Sequence, residues 1–463
     1  MSYQAAVERM YALGHELAQT PSHKFDLAHM RVLLVALENP ERRSPAVLIA
    51  GTNGKGSTAA TLASILGASG LRTGLYTSPH LVRINERIRI NGDEISDDDF
   101  ALLHDVVDRT AERLVDEGEL PWHPSFFEML TAMAFEYFAR GKVDVVVLEV
   151  GMGGRLDATN VIDPRVSVIT DISLDHQKFL GNTVAEIARE KAGIIHPGGI
   201  VVTLPQQPQA NDVIGNTILE MDATAVSAVP YVPPVAPGSD CGYGSRGKSL
   251  TECTGEAESS DHSQPVWRYP LHVMGGKICV EAPLIGRHQL RNVALAIAAT
   301  EELSKQGLPV TAASIERGIR ETRWPGRFQV IPAANGNPEY VFDVAHNPAG
   351  AWALRSTLSA CYENRRLIFV FGALRDKAIG EMAEILFPVA ERVIATRAEN
   401  PRSATPDEIC HAAARTSAQI ETAPDVAAAL AQARASAGSS GVVVVTGSIY
   451  VVGEAMRRLG ARI

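Results

Sequence analysis

The segment Gly51-Thr52-Asn53-Gly54-Lys55-Gly56-Ser57-Thr58 has the composition of a phosphate-binding loop. It follows the apolar run 46–50 and precedes the apolar run 61–66, an order that predicts a strand, a loop and a helix. Glycines let backbone N–H groups approach phosphate oxygens, and the start of the helix adds partial positive charge. Lys55 can neutralise the terminal phosphates, and Ser57 or Thr58 can bind magnesium. The segment therefore predicts a bound nucleoside triphosphate.

The spacing of this loop differs from the usual Walker pattern. Ile49 stands where that pattern has its first glycine, and Gly56 separates the lysine from the hydroxyl residue. A second segment, 242–249, satisfies the Walker spacing fully, but Pro and Gly residues precede it and no helical apolar stripe follows it. Without a strand before it and a helix after it, this segment would have neither a rigid support nor a helix dipole to bind phosphate. We therefore interpret 242–249 as part of an insertion and 51–58 as the phosphate loop.

A carboxylate and an imidazole follow two other predicted strands. Glu149 ends the apolar run 145–150 before a glycine-rich turn, and His176 follows the run 166–170. Ligands of open α/β sheets bind beyond the carboxyl ends of the strands, where a carboxylate oxygen suits magnesium and an imidazole can complete a metal site. A solvated glutamate at the end of a strand and a solvated histidine in a loop would give the same sequence. The glycines beside Glu149 favour a functional role.

Charged residues also occur in two less decisive places. Arg189-Glu190-Lys191 lies on an amphipathic helical pattern, where a charged solvent-exposed face is the simplest interpretation. Asp343 and His346 lie on a strand-to-helix turn, three residues apart, where both could reach one ligand. A helix-capping Asp or Asn would give the same sequence.

Length and composition limit the classes of protein that fit. The 463 residues are enough for two or three domains, and the formal net charge of −10 argues against binding nucleic acid through phosphates. The five cysteines have no CxxC spacing, and 1–19 lacks the apolar block of a signal peptide, so we expect a reduced, cytoplasmic setting. No apolar run approaches the ~20 residues that cross a bilayer, which predicts no membrane association.

The alternation of short β-branched runs with amphipathic stretches predicts an α/β protein with a mainly parallel sheet flanked by helices. In the first half we predict strands at 46–50, 143–150, 166–170 and 199–204, and helices at 58–69, 97–117, 125–140 and 183–193. From 292–303 onwards a helix and a second series of strands, at 328–332, 340–343, 367–371, 392–396 and 442–446, predict a smaller Rossmann-like α/β domain. We place the domains at 1–308 and 309–463, with 205–265 as a polar, irregular insertion.

Several motifs together resemble the folylpolyglutamate synthase family, which includes the bifunctional dihydrofolate synthases. They are 51–57, 77–81, 85–88, 149–160, 174–176, 189–195, 324–327, 343–348, 376–377 and 447–454. The resemblance spans nearly the whole chain outside the polar insertion. Asp171 and Ser173 depart from it, because the family more often has Asn and Gly there.

The resemblance implies an ATP-dependent ligase of the Mur ligase superfamily. A carboxylate of dihydropteroate or a reduced folate takes the γ-phosphoryl group of ATP, and the amino group of L-glutamate then attacks the acyl phosphate. Phosphoryl transfer between anions requires cations and little covalent work from the protein, which fits the residue types. By the same resemblance we expect two magnesium ions, small-molecule partners and a monomer.

Roles carried over from the family are expectations for particular residues. Lys55, Lys191, Asp343 and His346 would be catalytic, with Asp343 and His346 near the nucleotide and the incoming amine. Gly51 to Thr58, Asn292, Arg327 and Asp343 would bind the nucleotide. Ser57, Glu149, His176 and a carbamylated Lys191 would bind magnesium. The pterin side would be formed by Ser78, Pro79, His80, Arg87, Phe126 and Glu128.

Two other functions fit part of this sequence. A cell-wall Mur ligase acting on a nucleotide-linked peptide would share the phosphate loop, but 77–87 and 189–195 favour folate. A nucleotide-dependent switch or scaffold would bind ATP without joining substrates. Intact Lys191, Asp343 and His346 argue against a switch, because a non-catalytic protein does not need residues for the amine and for a second metal.

Overall fold

A computed structural model describes residues 1–14, 27–234 and 266–462 of the chain. Its α-helices are α1 Tyr3–Ala12, α2 Leu27–Ala36, α3 Lys55–Ala68, α4 Asp97–Asp116, α5 Phe126–Gly141, α6 Gln177–Leu180, α7 Val184–Ala192, α8 Pro208–Glu220, α9 Arg287–Lys305, α10 Ala312–Glu321, α11 Pro348–Cys361, α12 Ile379–Leu386, α13 Pro406–Ala412, α14 Val426–Ala437 and α15 Ile449–Arg458. Its strands are β1 Ala46–Ala50, β2 Thr73–Tyr76, β3 Ile88–Ile90, β4 Asp93–Glu94, β5 Val145–Glu149, β6 Val166–Ile169, β7 Ile200–Thr203, β8 Thr224–Ser227, β9 Trp267–Val273, β10 Gly276–Ala282, β11 Gln329–Ile331, β12 Glu339–Phe342, β13 Leu367–Phe371, β14 Arg392–Ala395, β15 Ile420–Thr422 and β16 Val442–Thr446.

The described residues form two compact units. The first unit is drawn from Met1–Ile172, Leu180–Tyr231 and Asn292–Gly318, and the second from Ser173–Phe179, Val232–Arg291 and Ile319–Ile463. The longest continuous part of the second unit therefore begins near the predicted boundary at residue 308. The second unit also includes the short segment that follows β6.

The first unit contains an eight-stranded sheet in the order β4-β3-β2-β5-β1-β6-β7-β8. The pairs from β2 to β8 are parallel, and β3 and β4 add an antiparallel edge. Strands β1 and β5 are buried along their whole length, as expected for apolar strands covered on both faces by helices. The predicted fold class and the four strands predicted in the first half are confirmed. The carboxyl ends of β1, β5 and β6 lie side by side, which brings the segments after them together.

The second unit contains a six-stranded sheet in the order β11-β12-β16-β13-β14-β15. All pairs are parallel except β11 with β12. The adjacent strands β13 and β16 are fully buried runs of large and β-branched apolar residues, which fixes them at the centre of the sheet. A separate antiparallel hairpin is formed by β9 and β10. The predicted second α/β domain is confirmed as a fold.

The prediction of irregular structure for 205–265 is wrong over its first part. Helix α8 begins with Pro208 at its first position, and β8 extends the first sheet by pairing in parallel with β7. Proline suits the first turn of a helix because its missing N–H would have no partner there. The polar composition of α8 hides a narrow buried stripe formed by Ala210 and Ile214. The segment 242–249 lies outside the described residues.

The described cysteines differ in their bonding. Cys279 and Cys361 are disulfide-bonded, whereas Cys410 is free. Within the ranges that the structure describes, none of the helices has the length and apolar character needed to cross a membrane.

Candidate active site

The phosphate loop lies between β1 and α3 and is held by close backbone contacts. Gly51 has φ +152°, and a Cβ atom there would lie 1.8 Å from Oγ1 of Thr170. Gly54 has φ +90°, and its Cβ would lie 2.2 Å from Oδ1 of Asn292. Both positions therefore require glycine. The predicted nucleotide residue Asn292 lies against the loop within the first unit.

The backbone of the loop is also tied to the end of β6. The N–H groups of Thr52 and Asn53 both donate to the carbonyl oxygen of Asp171, at 2.8 and 3.2 Å. These contacts use the main chain of Asp171, so they do not depend on whether the side chain at this position is Asp or the Asn that is more usual in the resembled family. The departure at this position therefore leaves the loop geometry intact.

Helix α3 begins within the loop and presents its N-terminus there. Gly54 is the N-cap residue and Lys55 is the first residue of the helix. Ser57 and Thr58 are buried in the first turn, and Oγ1 of Thr58 is buried without a hydrogen-bond partner. Because the first N–H groups of a helix have no intrahelical acceptors, this end attracts anions. The arrangement is suited to hold a phosphate group.

Glu149 ends β5 beside the loop and is buried, so it is not the solvated glutamate of the alternative interpretation. Its Oε2 accepts a hydrogen bond from the N–H of Ser78 at 3.2 Å, and its Oε1 lies 4.0 Å from Nζ of Lys55. Among the described residues, no group of three or more His, Cys, Asp or Glu side chains is placed to hold a metal ion. Magnesium is commonly held by one or two protein oxygens, with water and phosphate oxygens completing its shell. Glu149 and Ser57 fit such a magnesium site with few protein ligands.

Lys191 is buried at the end of α7, with 4% of its surface exposed. Its Nζ donates a hydrogen bond to the carbonyl oxygen of Gly51 at 2.7 Å. The interpretation of 189–191 as a solvent-exposed charged face therefore fails for Lys191, although Arg189 is exposed. Burying a lysine is costly unless its ammonium has polar partners. The side chain of Lys191 thus contacts the phosphate loop directly.

The glycine-rich turn after Glu149 packs against the same end of α7. A Cβ on Gly154 would lie 2.8 Å from the carbonyl oxygen of Glu190 and 2.9 Å from that of Lys191. The N–H of Arg155 donates to the Glu190 carbonyl at 2.8 Å, and its guanidinium pairs with the Glu190 carboxylate at 2.9 Å. The glycine here serves close packing, which holds the backbone around Lys191 in place.

The residues predicted for the pterin side converge in the first unit. Nε of the buried Arg87 donates to Nδ1 of His80 at 2.8 Å, and the guanidinium lies 5.4 Å from the ring centroid of Phe126. The ring of Tyr11 stacks on Phe126 at 5.7 Å, and its hydroxyl lies 3.3 Å from Nε2 of His80. An aromatic face beside a fixed cation suits a flat heterocycle that carries polar edges.

Two other residues of this predicted set have structural partners. Oε2 of Glu128 accepts from the N–H and the hydroxyl of Ser125, at 2.8 and 2.6 Å, which forms a capping box at the start of α5. Ser78 lies next to Pro79 and makes the backbone contact to Glu149. The capping box accounts for Glu128 structurally, and its contact with substrate stays a prediction.

In the second unit, Asp343 is buried at the end of β12 and organises the turn that follows. Its carboxylate accepts from the N–H groups of Phe328 at 3.0 Å and Ala345 at 2.9 Å. Burial raises the pKa of Asp343 to about 6, although the charge of Arg327 and these hydrogen bonds act in the opposite direction. The helix cap is Asn347, whose Oδ1 accepts from the N–H of Gly350. Asp343 is therefore not the capping residue, and the charge of Arg327 acts on its carboxylate.

His176 and His346 both lie in the second unit, beside Asp175. Nε2 of His346 is 3.6 Å and Nε2 of His176 is 3.9 Å from Oδ2 of that carboxylate. Nδ1 of His346 also lies 2.9 Å from the carbonyl oxygen of Val344. His176 has φ +50°, an uncommon conformation for a residue other than glycine that often occurs at functional sites.

The predicted site residues are thus divided between the two units. The first unit holds the phosphate loop, Glu149, Lys191, Asn292 and the pterin-side residues, and the second holds His176, Arg327, Asp343 and His346. Sequence reasoning assigned no role to Asp175, Lys377 or Tyr11. Lys377 was part of a family motif, but nothing in the local sequence indicated its partner.

Comparison with known proteins defines the class. Residues 326–449 match the family described as Mur ligase, glutamate ligase domain. With a phosphate loop in the first unit, this match makes the protein a Mur-type ligase. The dihydrofolate synthase/folylpolyglutamate synthase of Bacillus subtilis is 34% identical over 94% of both chains, and the folylpolyglutamate synthase of Lacticaseibacillus casei is 37% identical over 83% of both. The chain belongs to the folylpolyglutamate synthase and dihydrofolate synthase family, as its motifs predicted.

Solved structures of the same family share the fold. The Mycobacterium tuberculosis folylpolyglutamate synthase complexed with ADP and AMPPCP is 30% identical, with a TM-score of 0.81 over 100% of this chain and 99% of that one. Escherichia coli FolC in complex with DHPP and ADP is 29% identical, with a TM-score of 0.78 over 99% and 98% of the two chains.

Proposed function

We propose that this protein is an ATP-dependent ligase that adds L-glutamate to the carboxylate of dihydropteroate, of a reduced folate, or of both. Family membership supports the reaction class, and the relatives named for both synthase activities support the choice of substrates. The observation that carries the proposal is the meeting of three motifs at one loop. Lys55 begins α3 in this loop, Glu149 lies beside Lys55, and Lys191 bonds the carbonyl of Gly51.

The reaction requires two transfers. An oxygen of the acceptor carboxylate attacks the γ-phosphorus of ATP, and ADP leaves with the electron pair of the broken P–O bond. The amino nitrogen of glutamate then attacks the acyl carbon, phosphate leaves with the carboxylate oxygen, and the nitrogen loses a proton. The products are an amide, ADP and phosphate. The protein mainly positions the reactants, neutralises their charge and keeps water from the acyl phosphate.

The roles of individual residues follow from their chemistry. We propose that Lys55 and the N-terminus of α3 bind the β and γ phosphates, and that Arg327, whose charge acts on Asp343, contributes to nucleotide binding. Arg87, His80 and Phe126 would hold the pterin ring. His346 would lie near the incoming amine, where an imidazole can accept its proton.

Magnesium is part of the proposal. In the first unit its residues would be Ser57 and Glu149, which supply the oxygen atoms that divalent cations accept. The contribution of the His176 imidazole nitrogen stays a prediction. The buried, unpartnered hydroxyl of Thr58 marks a further polar group in the same turn. When bound, magnesium would neutralise phosphate charge. Lys191 would bind a second ion as a carbamate. Its ammonium would first lose a proton, and the neutral amine would then bond carbon dioxide and lose a second proton, which converts a cation into an anion.

The test is amide formation by the purified protein with ATP, magnesium, dihydropteroate and L-glutamate, followed by mass spectrometry and phosphate release. We expect dihydrofolate, and phosphate release that depends on both the acceptor and glutamate. Replacing dihydropteroate with a reduced folate distinguishes the two synthase activities. Lys55→Ala should abolish product, whereas Lys305→Ala, a change at an exposed lysine, should not. Phosphate release that depends on neither the acceptor nor glutamate would contradict the proposal. We further expect a cytoplasmic monomer, which sedimentation and cell fractionation would test.

A further inference from the structure

Asp175 lies at the centre of a buried polar cluster in the second unit, and the roles proposed above do not use it. The segment Ser173–Phe179, which follows β6, belongs to this unit. The side chain of Asp175 is 8% exposed, and that of Lys377 is 7% exposed. Two opposite charges buried to this degree are stable only when each has well-placed partners.

The carboxylate of Asp175 accepts hydrogen bonds at both oxygens. Nζ of Lys377 donates to Oδ1 at 2.6 Å, and Nδ2 of Asn347 donates to Oδ2 at 3.1 Å. The N–H of His176 also donates to Oδ1 at 2.8 Å.

Asp175 therefore joins two segments that are distant in sequence. Asn347 caps α11 through its Oδ1 while its amide nitrogen bonds Asp175, so the carboxylate is linked to the turn that carries His346. Among the described residues, Asp175 is the acceptor that the Lys377 ammonium contacts. Loss of the carboxylate would leave a buried ammonium without its counter-charge and remove an acceptor from the amide of Asn347.

We propose that Asp175 is a positioning residue that acts through Lys377 and Asn347 to fix the His346 turn for the second transfer. The proposal rests on the ligase function proposed above. Because the carboxylate contacts no reacting atom in this account, its removal affects the arrangement of other groups. The effect should fall on turnover, since the phosphate loop in the first unit is untouched.

The test combines kinetics with a measurement that does not depend on catalysis. We expect Asp175→Asn to lower kcat at least about tenfold while nucleotide Kd changes less than about threefold. Asp175→Glu should recover part of the activity because it restores a carboxylate. Asp175→Asn combined with Lys377→Met should be no slower than the slower single variant, because residues that act as a unit are not additive. Glu391→Gln, at an exposed ion pair, is the matched control.

The second measurement is acetylation of Lys377 by acetic anhydride, followed by mass spectrometry. The hydrogen bond to Asp175 holds the Lys377 amine in its buried position. Once that contact is lost in Asp175→Asn, we expect labelling to rise at least about fivefold over the wild type. An unchanged kcat in Asp175→Asn would overturn the positioning role. So would a double variant whose kcat falls by the product of the two single-variant reductions. If the wild type forms no amide, the proposed function fails, and an unchanged labelling rate would then overturn the Asp175–Lys377 contact on its own.

Discussion

Nζ of Lys191 donates a hydrogen bond to the carbonyl oxygen of Gly51 at 2.7 Å, across 140 residues of sequence. This contact joins the end of α7 to the phosphate loop. It also places a buried amine against the first residue of that loop. The predictions for Lys191 and Gly51 depend on this arrangement within the first unit.

Replacing Lys191 should affect turnover more than nucleotide affinity. We expect Lys191→Ala to lower kcat at least about tenfold, equivalent to about 1.4 kcal/mol of transition-state stabilisation, with nucleotide Kd changed less than about threefold. The reason is that the loop and α3 would hold most of the phosphate charge, whereas Lys191 contacts the carbonyl oxygen of Gly51. Steady-state kinetics and nucleotide titration would measure both quantities. An unchanged kcat would remove Lys191 from the mechanism, and Lys305→Ala is the control.

Gly51→Ala should weaken nucleotide binding and lower stability. An added Cβ would overlap Oγ1 of Thr170, and the φ of +152° is unfavourable for alanine. We expect a loss of about 1–3 kcal/mol in the free energy of unfolding and at least a tenfold rise in nucleotide Kd, roughly the cost of a strained backbone. Urea unfolding and nucleotide titration provide the measurement.

Gly67→Ala is the matched control for Gly51→Ala. Gly67 is exposed within α3, and a Cβ there would meet no atom within 4 Å. Because alanine favours a helix, stability should increase by about 0.5–1 kcal/mol without a change in nucleotide binding. Equal effects of the two variants would show that the close approach at Gly51 is unimportant.

Asp343 should titrate near pH 6. Its folded-state pKa is raised to about 6 from the ordinary value of 3.8, mainly by burial. The folded protein therefore holds this proton more tightly than the unfolded chain, and stability falls as pH rises from about 4 to about 6, by up to roughly 3 kcal/mol. Carboxyl carbon NMR of the wild type against Asp343→Asn would locate the titration. A midpoint near pH 4 would contradict the effect of burial.

Arg87 should govern acceptor binding. We expect Arg87→Ala to raise the KM for dihydropteroate at least about tenfold and to change nucleotide Kd little, since the lost contacts are to His80 and Phe126. Thermal unfolding should accompany the kinetics because Arg87 is buried. Arg109→Ala, at an exposed helical ion pair, is the control. A normal KM in a folded Arg87 variant would exclude this surface as the pterin site.

The sequence predicted those features that depend on local pattern. The order of strand, glycine-rich loop and helix at 46–68 could be predicted because apolar periodicity and glycine placement are local properties. The polar helix α8 was missed because composition outweighed the short apolar stripe of Ala210 and Ile214. The burial of Lys191 was equally hidden, since its neighbours Arg189 and Glu190 resemble a solvated face.

Contacts between distant segments could not be predicted from local pattern. Asp175 and Lys377 are 202 residues apart, and their hydrogen bond depends on the fold of the second unit. Asp343 was predicted as a site residue from its turn, but its raised pKa follows from its burial, which the sequence did not indicate. Family motifs supplied roles for residues whose surroundings only the structure describes.

The most direct test of the account is the fate of an isotope-labelled carboxylate oxygen. Dihydropteroate labelled with ¹⁸O in its carboxylate is converted with ATP and L-glutamate, and the released phosphate is examined by mass spectrometry. Activation through an acyl phosphate predicts that each released phosphate carries one oxygen from the carboxylate. Amide formation with unlabelled phosphate would contradict the central claim that ATP activates the acceptor carboxylate.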